Sequence, residues 1–534
     1  MTTASKLAKA AGLAIGATAV VAARDVTQKR HAILRTYPII GHLRFFLERF
    51  GPELRQYIVT GNDEERPFSR DQRRWIYASA KLENNYFGFG TDNDVEHANG
   101  YPILKHRTFK GEGAPAARHA GDEVSLPSAK VLGGPRGRRH AFRPASVVNI
   151  SGMSFGSLSK NAIEALNRGA QLAGCLHDTG EGALSPYHRS GGDLVFQIGT
   201  SYFGCRDEHG EFELARLKDL CAGAPVRAIE IKLSQGAKPG HGGVLPAPKV
   251  SAEIAATRGV PMGEDCVSPS RHSAFDTPEG LLHFVARLRE LSGGKPTGFK
   301  LAIGHPWEWF AIAKAMTTTG ILPDFIVVDG GEGGTGAAPL EFTDHVGAPL
   351  REALLLVHNT LVGLSLRQHI RIGASGKVIT AIDIARTLAL GADWCNAARG
   401  FMFALGCIQS QNCHTDRCPT GIATQDVSRW KKLDVPDKSS RVANFHENTL
   451  IALKELVQAT GLTHPEQIGP EHLIRRVSST EVRSLASLYT FVEPGELVGG
   501  VPDHVVFQRF WTAARADTFA PPPEVLARRG TKLR

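Results

Sequence analysis

From Ser146 onward the chain alternates short apolar runs with amphipathic stretches, and that alternation restricts the fold more than any other feature. Runs at 147–150, 228–233, 298–303, 325–329, 370–373 and 394–398 are short and apolar, as buried strands are. Stretches at 157–174, 307–319 and 380–390 place apolar residues three and four apart, the spacing of a helix that buries one face. Strands and helices in this order predict a parallel α/β fold. An open doubly wound sheet and a closed barrel share the pattern. A chain of 534 residues has room for a (β/α)₈ TIM-type barrel of about 250 residues with additions at both ends. Glycine-rich strand ends point the same way. The expected division is a short apolar segment at 1–24, then a helical lead-in and Gly/Pro/Arg-rich connector at 25–145. The barrel follows at 146–426, and a mostly helical extension at 427–534.

Composition bounds the function. Hydrophobic residues make up 42% and charged residues 22%, as in globular proteins with a full core. The net charge of +9 does not carry a nucleic-acid reading, because the basic residues are dispersed and no basic–aromatic stripe interleaves them. The one dense run, Arg136-Gly-Arg-Arg-His140, reads as a solvated loop. Eight cysteines are too few and too uneven for a disulfide framework, and three of them fall within twelve residues, which in a reducing compartment suggests metal. Residues 10–23 are uncharged and flanked by Lys6, Lys9 and Arg24; fourteen residues fall short of the ~20 that cross a bilayer. A short membrane-associated anchor or a packing helix is expected there, ahead of a cleaved leader, with the remainder cytoplasmic.

Three motifs carry chemistry. Cys407-x₅-Cys413-x₄-Cys418-Pro419 offers three thiolates from one loop, the last before proline, as iron–sulfur ligands often stand. Zinc with His414 as a fourth ligand is the alternative, although no paired C-x₂-C knuckle is present. The second motif is a set of glycine-rich strand ends. Asp329-Gly-Gly-Glu-Gly-Gly-Thr-Gly336 formally contains G-x-G-x-x-G, but no helix opens directly after Gly336 as a dinucleotide fold requires. Gly373-Ala-Ser-Gly-Lys377 and Ala397-Ala-Arg-Gly400 end two consecutive late strands, where barrels bind phosphate through backbone N–H groups and a helix N-terminus. The third motif places Lys232, Gln235 and Lys238 in one glycine-rich loop, able to grip a dicarboxylate by charge-assisted bonds.

Ser151-Gly-Met-Ser-Phe-Gly156, Thr179-Gly-Glu-Gly182, the Lys232–Gly243 loop, Gly333-Gly-Thr-Gly336 and the cysteine loop occur in the order found in the synthase domain of glutamate synthases, which the chain resembles over roughly 147–425. Gly41-His-Leu-Arg44 and Phe87-Gly-Phe-Gly-Thr91 resemble the stand-alone, archaeal-type branch, the FMN-binding glutamate synthase family. The resemblance implies FMN at the barrel mouth and a [3Fe–4S] cluster beside it. It implies reduction of 2-iminoglutarate, formed from 2-oxoglutarate and ammonia, to L-glutamate by an oxidoreductase acting on CH–NH₂ donors. By motif position Met153, Ser154 and Gly156 line flavin and substrate, and Lys300 stabilises negative charge near flavin N1 and O2. Gly333, Gly334, Thr335, Ser375, Gly376, Ala398 and Arg399 cradle the phosphate. Lys232, Gln235, Lys238 and Arg258 hold the oxoacid carboxylates, Glu181 is the acid/base candidate, and Cys407, Cys413 and Cys418 ligate the cluster.

Two departures bear on this. Val244 stands where the large bacterial enzymes have a glutamine for 2-oxoglutarate, and His241 replaces a neighbouring residue, so another 2-oxoacid is an open reading. The chain opens Met-Thr-Thr and not with a cysteine nucleophile, so ammonia or an amine is expected from solution or from a glutaminase-like partner. The electron donor is expected to be external, a ferredoxin or a separate reductase subunit. Rival readings are an FMN barrel enzyme acting on a hydroxy acid or nucleotide, and a non-catalytic electron relay.

Overall fold

The structure is a computed structural model that describes residues 3–61, 64–84, 88–109 and 126–523. Phe87 of the second family-like stretch and residues 110–125 of the connector lie outside the described residues. The chain divides into two compact units, Met1–Asp71 and Gln72–Arg534.

Eight parallel strands close a barrel in the second unit. They are β1 (Val148–Ile150), β2 (His177–Asp178), β3 (Leu194–Ile198), β4 (Val226–Lys232), β5 (Thr297–Leu301), β6 (Phe325–Asp329), β7 (Arg371–Ser375) and β8 (Trp394–Ala397). The chain runs round the barrel in sequence order, and β8 pairs with β1 through Cys395↔Val148 and Ala397↔Ile150. Both faces of each strand are covered, one by the barrel interior and one by helices, so β1, β5 and β8 are buried at every position. Helices follow with local start and stop signals. Ser159 caps Lys160–Ala173 by accepting from Ala162 N–H, and Thr277 caps Pro278–Leu291 the same way from Gly280 N–H.

The floor of the barrel is a hydrophobic plug. Leu132 and Phe142 exchange backbone hydrogen bonds at 2.8 and 3.2 Å, and Leu132 packs with Ala228, Phe325, Val327 and Trp394. This turn corrects the reading of the basic run as a solvated loop. Arg136, Arg139 and His140 are exposed, but Arg138 Nε donates to the buried Asp324 at 2.8 Å, and Arg289 Nε reaches the same carboxylate at 2.9 Å. The plug closes the end opposite the strand C-termini, so only the other mouth is left for a ligand.

The C-terminal segment starts as expected with a long helix, Val435–Ala459, packed on Lys160–Ala173. His446 Nε2 lies 2.8 Å from Ser146 Oγ and 3.2 Å from the Val148 carbonyl, fixing that helix beside β1. Beyond it the expectation of continued helix fails. Leu473–Arg476 pairs antiparallel with both Val482–Ser484 and Pro102–Leu104, and only short helices follow. The partner strand lies some 370 residues earlier, so no local periodicity announces it.

The described residues of the first unit include α1 (Thr3–Thr27), α2 (Ala32–Thr36) and α3 (His42–Leu54), the last followed by a π-helical turn at Arg55–Val59. The uncharged run at 10–23 is the middle of a 25-residue helix, longer than the run by itself suggested. Lys9–Thr27 is long and apolar enough to cross a membrane by length and composition.

Candidate active site

The strand C-termini bring together residues that lie far apart in sequence. Lys232 ends β4 and donates from Nζ to Glu181 Oε1 at 2.6 Å, the carboxylate coming from the loop after β2. Burial pushes the Glu181 carboxyl up, but Lys232, Arg258 and Lys238 outweigh it and its pKa ends below the ordinary value. Glu181 is therefore held as a carboxylate in the free protein by the cations around it.

Beneath this pair lies a buried polar layer. Gln197 of β3 donates from one amide nitrogen to Asp178 at 3.1 Å and to Glu230 at 2.7 Å. Burial, then the neighbouring Asp178, pushes the Glu230 carboxyl up to about 8. Lys300 of β5 sits 4.0 Å from Glu230; burial depresses its ammonium, but Glu230, Asp329, Asp178 and Glu181 together raise it. Lys300 thus carries a permanent positive charge inside the barrel. The Ser151–Gly156 loop rests directly on the layer: a Cβ on Gly152 would lie 2.8 Å from Gln197 Nε2 and 3.0 Å from Asp178 Oδ1.

The loop after β4 is bolted to the loop after β6. Gly236 N–H donates to Asp329 at 2.9 Å, and Ser375 Oγ donates to the other oxygen of that carboxylate at 2.6 Å. Gly236 approaches Gly330 so closely that a Cβ would stand 1.7 Å from its carbonyl oxygen. Gln235 Nε2 donates to Thr335 Oγ1 at 3.2 Å, and Lys238 Nζ to the Ala337 carbonyl at 2.7 Å. Arg258 is buried under the Ser151–Gly156 loop, donating to the Phe155 carbonyl at 2.8 Å and lying 3.5 Å from Ser154 Oγ. Its Nε is buried with no hydrogen-bond partner among the described residues. Lys232, Arg258 and Lys238 all act on the Glu181 carboxylate, a cluster of cations suited to a ligand with carboxylates.

On the far side, Arg399 donates to the Glu332 carbonyl at 2.9 Å, and a Cβ on Gly334 would lie 3.0 Å from its guanidinium. The amides of Gly334 and Thr335 donate to no acceptor among the described residues, while Gly333 N–H turns back to the Gly330 carbonyl at 2.8 Å. These two amides and Arg399 form a cradle of phosphate character, beside Ser375 and Gly376 at the end of β7 and Ala398 at the end of β8. A helix N-terminus joins it after β8, where Ala398 and Arg399 open the helix Arg399–Leu405, but not after β7. Ala381–Ala389 starts five residues beyond Gly376, and its first turn is capped by its own Thr380 and Asp383.

The cysteine loop packs against the Ser151–Gly156 loop. Gln425 Nε2 donates to the Gly156 and Leu158 carbonyls at 2.9 Å each, and Ser159 Oγ donates to the Gly421 carbonyl at 2.7 Å. Buried Lys249 spans the two loops, donating to the Ser157 carbonyl at 2.5 Å and the Cys413 carbonyl at 3.3 Å. Burial pushes the Cys407 thiol up to about 12. At Cys418 burial acts the same way, but hydrogen bonds from Thr420 and from backbone N–H groups at Ala423, Thr420 and Ile422 outweigh it and the pKa ends lowered. Among the described residues the one trio of metal-capable side chains with ligand atoms within 4.8 Å of one another is the exposed Asp94, Glu96 and His97.

Asp178, Gln197, Glu230, Asp329 and Lys249 were not legible as site residues. Each is an ordinary polar side chain in sequence, and burial alone marks it. The sequence signal for Lys249 was its place eleven residues beyond Lys238 in the same motif-bearing segment.

A closed parallel barrel with a plugged floor and a charged, glycine-lined upper mouth defines a ligand-binding (β/α)₈ protein. Residues 135–463 match the model for the conserved region in glutamate synthase. The chain is similar to the glutamate synthase large subunit-like protein YerD of Bacillus subtilis, 38% identical over 493 residues, covering 87% of this chain and 94% of that one. It is also similar to the archaeal glutamate synthase [NADPH] of Methanocaldococcus jannaschii, 38% identical over 340 residues, which cover 62% of this chain and 63% of that enzyme. Among solved structures it aligns with a chimera of (S)-mandelate dehydrogenase at a TM-score of 0.43 and 14% identity, covering 76% of this chain and 98% of that one. The chain belongs to the glutamate synthase family.

Proposed function

We propose that this protein reduces the imine formed from 2-oxoglutarate and ammonia to L-glutamate, with FMN in the barrel mouth and electrons entering through a [3Fe–4S] cluster. The observation that supports this most is the clustering of Lys232, Lys238 and Arg258 around the Glu181 carboxylate. Arg258, with an unpartnered Nε, and Lys238 bind the two carboxylates of the oxoacid. Glu181, held as a carboxylate by Lys232, takes the proton released as ammonia adds to the oxo carbon and passes it to the hydroxyl of the adduct, whose C–O bond breaks as water leaves and the imine forms. Lys300 keeps a positive charge where the reduced cofactor is anionic. FMN, when bound, supplies hydride to the imine carbon, and the cluster refills it one electron at a time. Gly334, Thr335 and Arg399 hold the phosphate, and Cys407, Cys413 and Cys418 hold the irons. The Gln425 and Lys249 bridges give electrons a short bonded route between the two loops.

The donor in this reading is an external ferredoxin or reductase subunit, and ammonia arrives from solution or from an amine-supplying partner. A place on the cytoplasmic face of a membrane, held by the N-terminal segment, fits the exposed apolar helix α1. Val244 favours a second reading in which another 2-oxoacid is the substrate, because a valine supplies no hydrogen bond to a carboxylate. The test is anaerobic photoreduction of the purified protein, followed by 2-oxoglutarate with ammonium. Rapid flavin reoxidation supports the reading; reoxidation by a different oxoacid alone moves the substrate, and none by any oxoacid overturns it.

A further inference from the structure

The first unit exposes far more apolar surface than a water-facing helical unit does. In α1, Leu13, Ile15 and Val20 are 76%, 71% and 70% exposed, so no side of the helix is buried along its middle. In α3, Leu43, Phe46, Leu47, Phe50 and Leu54 are all exposed and fall on one side at helical spacing, with the Phe46 and Phe50 rings 4.7 Å apart. Arg44 and Glu48, paired at 2.8 Å, flank that face. The apolar face continues into Ile58 and Val59. Exposed apolar surface on this scale marks an interaction site.

A buried carboxylate fixes how the two helices meet. Asp25, in the last turn of α1, accepts the Ile39 N–H at 2.9 Å and His42 Nε2 at 2.9 Å. The chain therefore turns back at the end of the apolar stretch, and α3 begins beside it. Charge follows the same plan. Residues 1–60 carry nine Lys/Arg against three Asp/Glu, with Lys6 and Lys9 before the apolar stretch and Arg24, Lys29, Arg30, Arg35 and Arg44 after it.

Resting on the tether reading above, we propose that this unit engages an anionic lipid bilayer in two ways at once. α1 crosses the hydrocarbon core, and α3 lies along the headgroup boundary with its Leu43–Phe50 face inward. At 1.5 Å per residue the uncharged residues 10–23 cover about 21 Å, and Lys9–Thr27 about 28 Å with its charged ends reaching to the headgroups, against a core of about 30 Å. The Asp25 clasp sets α3 at the level where the apolar stretch ends, which is the interface. An amphipathic helix with basic residues and a Phe/Leu face is suited to that depth. The excess of Lys/Arg after α1 places its C-terminal end on the cytoplasmic side, and the net positive charge selects anionic over zwitterionic lipid.

The test is flotation of the full-length protein with vesicles of phosphatidylethanolamine and phosphatidylglycerol, or of phosphatidylcholine alone. The intact chain should float with both and resist alkaline carbonate. The Leu13→Lys/Val20→Lys variant should lose carbonate resistance yet still float with the anionic vesicles in a salt-sensitive way, through α3. Adding Phe46→Glu and Phe50→Glu should abolish flotation, with the melting temperature of the barrel unchanged. Loss of all flotation in the α1 variant alone leaves the tether and overturns the role of α3. An intact chain that never floats overturns both, as does a detergent-free dimer that the same four substitutions dissociate, because a second copy then covers the face.

Discussion

Lys238 is buried beside Lys232, and burial first, then that neighbour, pushes its pKa down to about 8. The ammonium form binds a carboxylate and the neutral form does not. The KM for the oxoacid should therefore rise as pH climbs through about 8 in the native protein. Lys238→Met should remove that dependence and raise KM by one to two decades at neutral pH, the loss of roughly 1.5–3 kcal/mol from a charge-assisted bond. Initial rates of flavin reoxidation at several pH values check both. Glu230 titrates in the opposite sense. Its folded pKa of about 8 lies above its ordinary 4.5, so its contribution to stability is complete below about 4.5 and is lost as pH rises towards and through 8. The melting temperature of the native protein should fall between pH 5 and 9 relative to Glu230→Gln, which keeps the acceptor for Gln197 but cannot ionise. Parallel melting curves across that range would contradict the raised Glu230 carboxyl. The lysines were legible in sequence because they sit in a glycine-rich loop with no other task. Asp178, Gln197 and Glu230 were not, because their meaning lies in facing one another across three strands.

At the scale of elements, the loops after β4 and β6 meet backbone to backbone at Gly236 and Gly330. A methyl at Gly236 must displace the Gly330 carbonyl, 1.7 Å away, so Gly236→Ala should cost about 1–3 kcal/mol of stability and lose flavin as well. At Gly334 the nearest atoms belong to the guanidinium end of Arg399, which can shift, so Gly334→Val should lower flavin content while leaving the melting temperature of the apoprotein nearly unchanged. Flavin-to-protein ratios and thermal melts of the two apoproteins separate these effects. Six of the eight barrel strands were readable as apolar runs, and each lies within two or three residues of its expected bounds. β2 was not, because it is two polar residues, His177 and Asp178, held by neighbours on either side. β3 was missed although its five residues are mostly apolar, since no recognised helix preceded or followed it. The C-terminal sheet was hidden because its pairing to Pro102–Leu104 is non-local.

For the whole molecule, the proposed electron route runs from the cysteines through the Gln425 and Lys249 contacts to the barrel mouth. Cys413→Ala should remove the iron and abolish reduction by a ferredoxin-like donor, while the flavin, reduced by light, still reacts with oxoacid and ammonium. Iron analysis, electron paramagnetic resonance and single-turnover reoxidation check the three parts. Stoichiometric zinc without iron in anaerobically purified protein would falsify the cluster. The central claim, that the barrel mouth makes an amino acid from an oxoacid and ammonia, is tested most directly by following the nitrogen. Photoreduced protein is mixed anaerobically with 2-oxoglutarate and ¹⁵N-ammonium, and the products are read by mass spectrometry. The account predicts one ¹⁵N-glutamate for each reduced flavin consumed; flavin that reoxidises with no label in any amino acid, or stays reduced throughout, contradicts it.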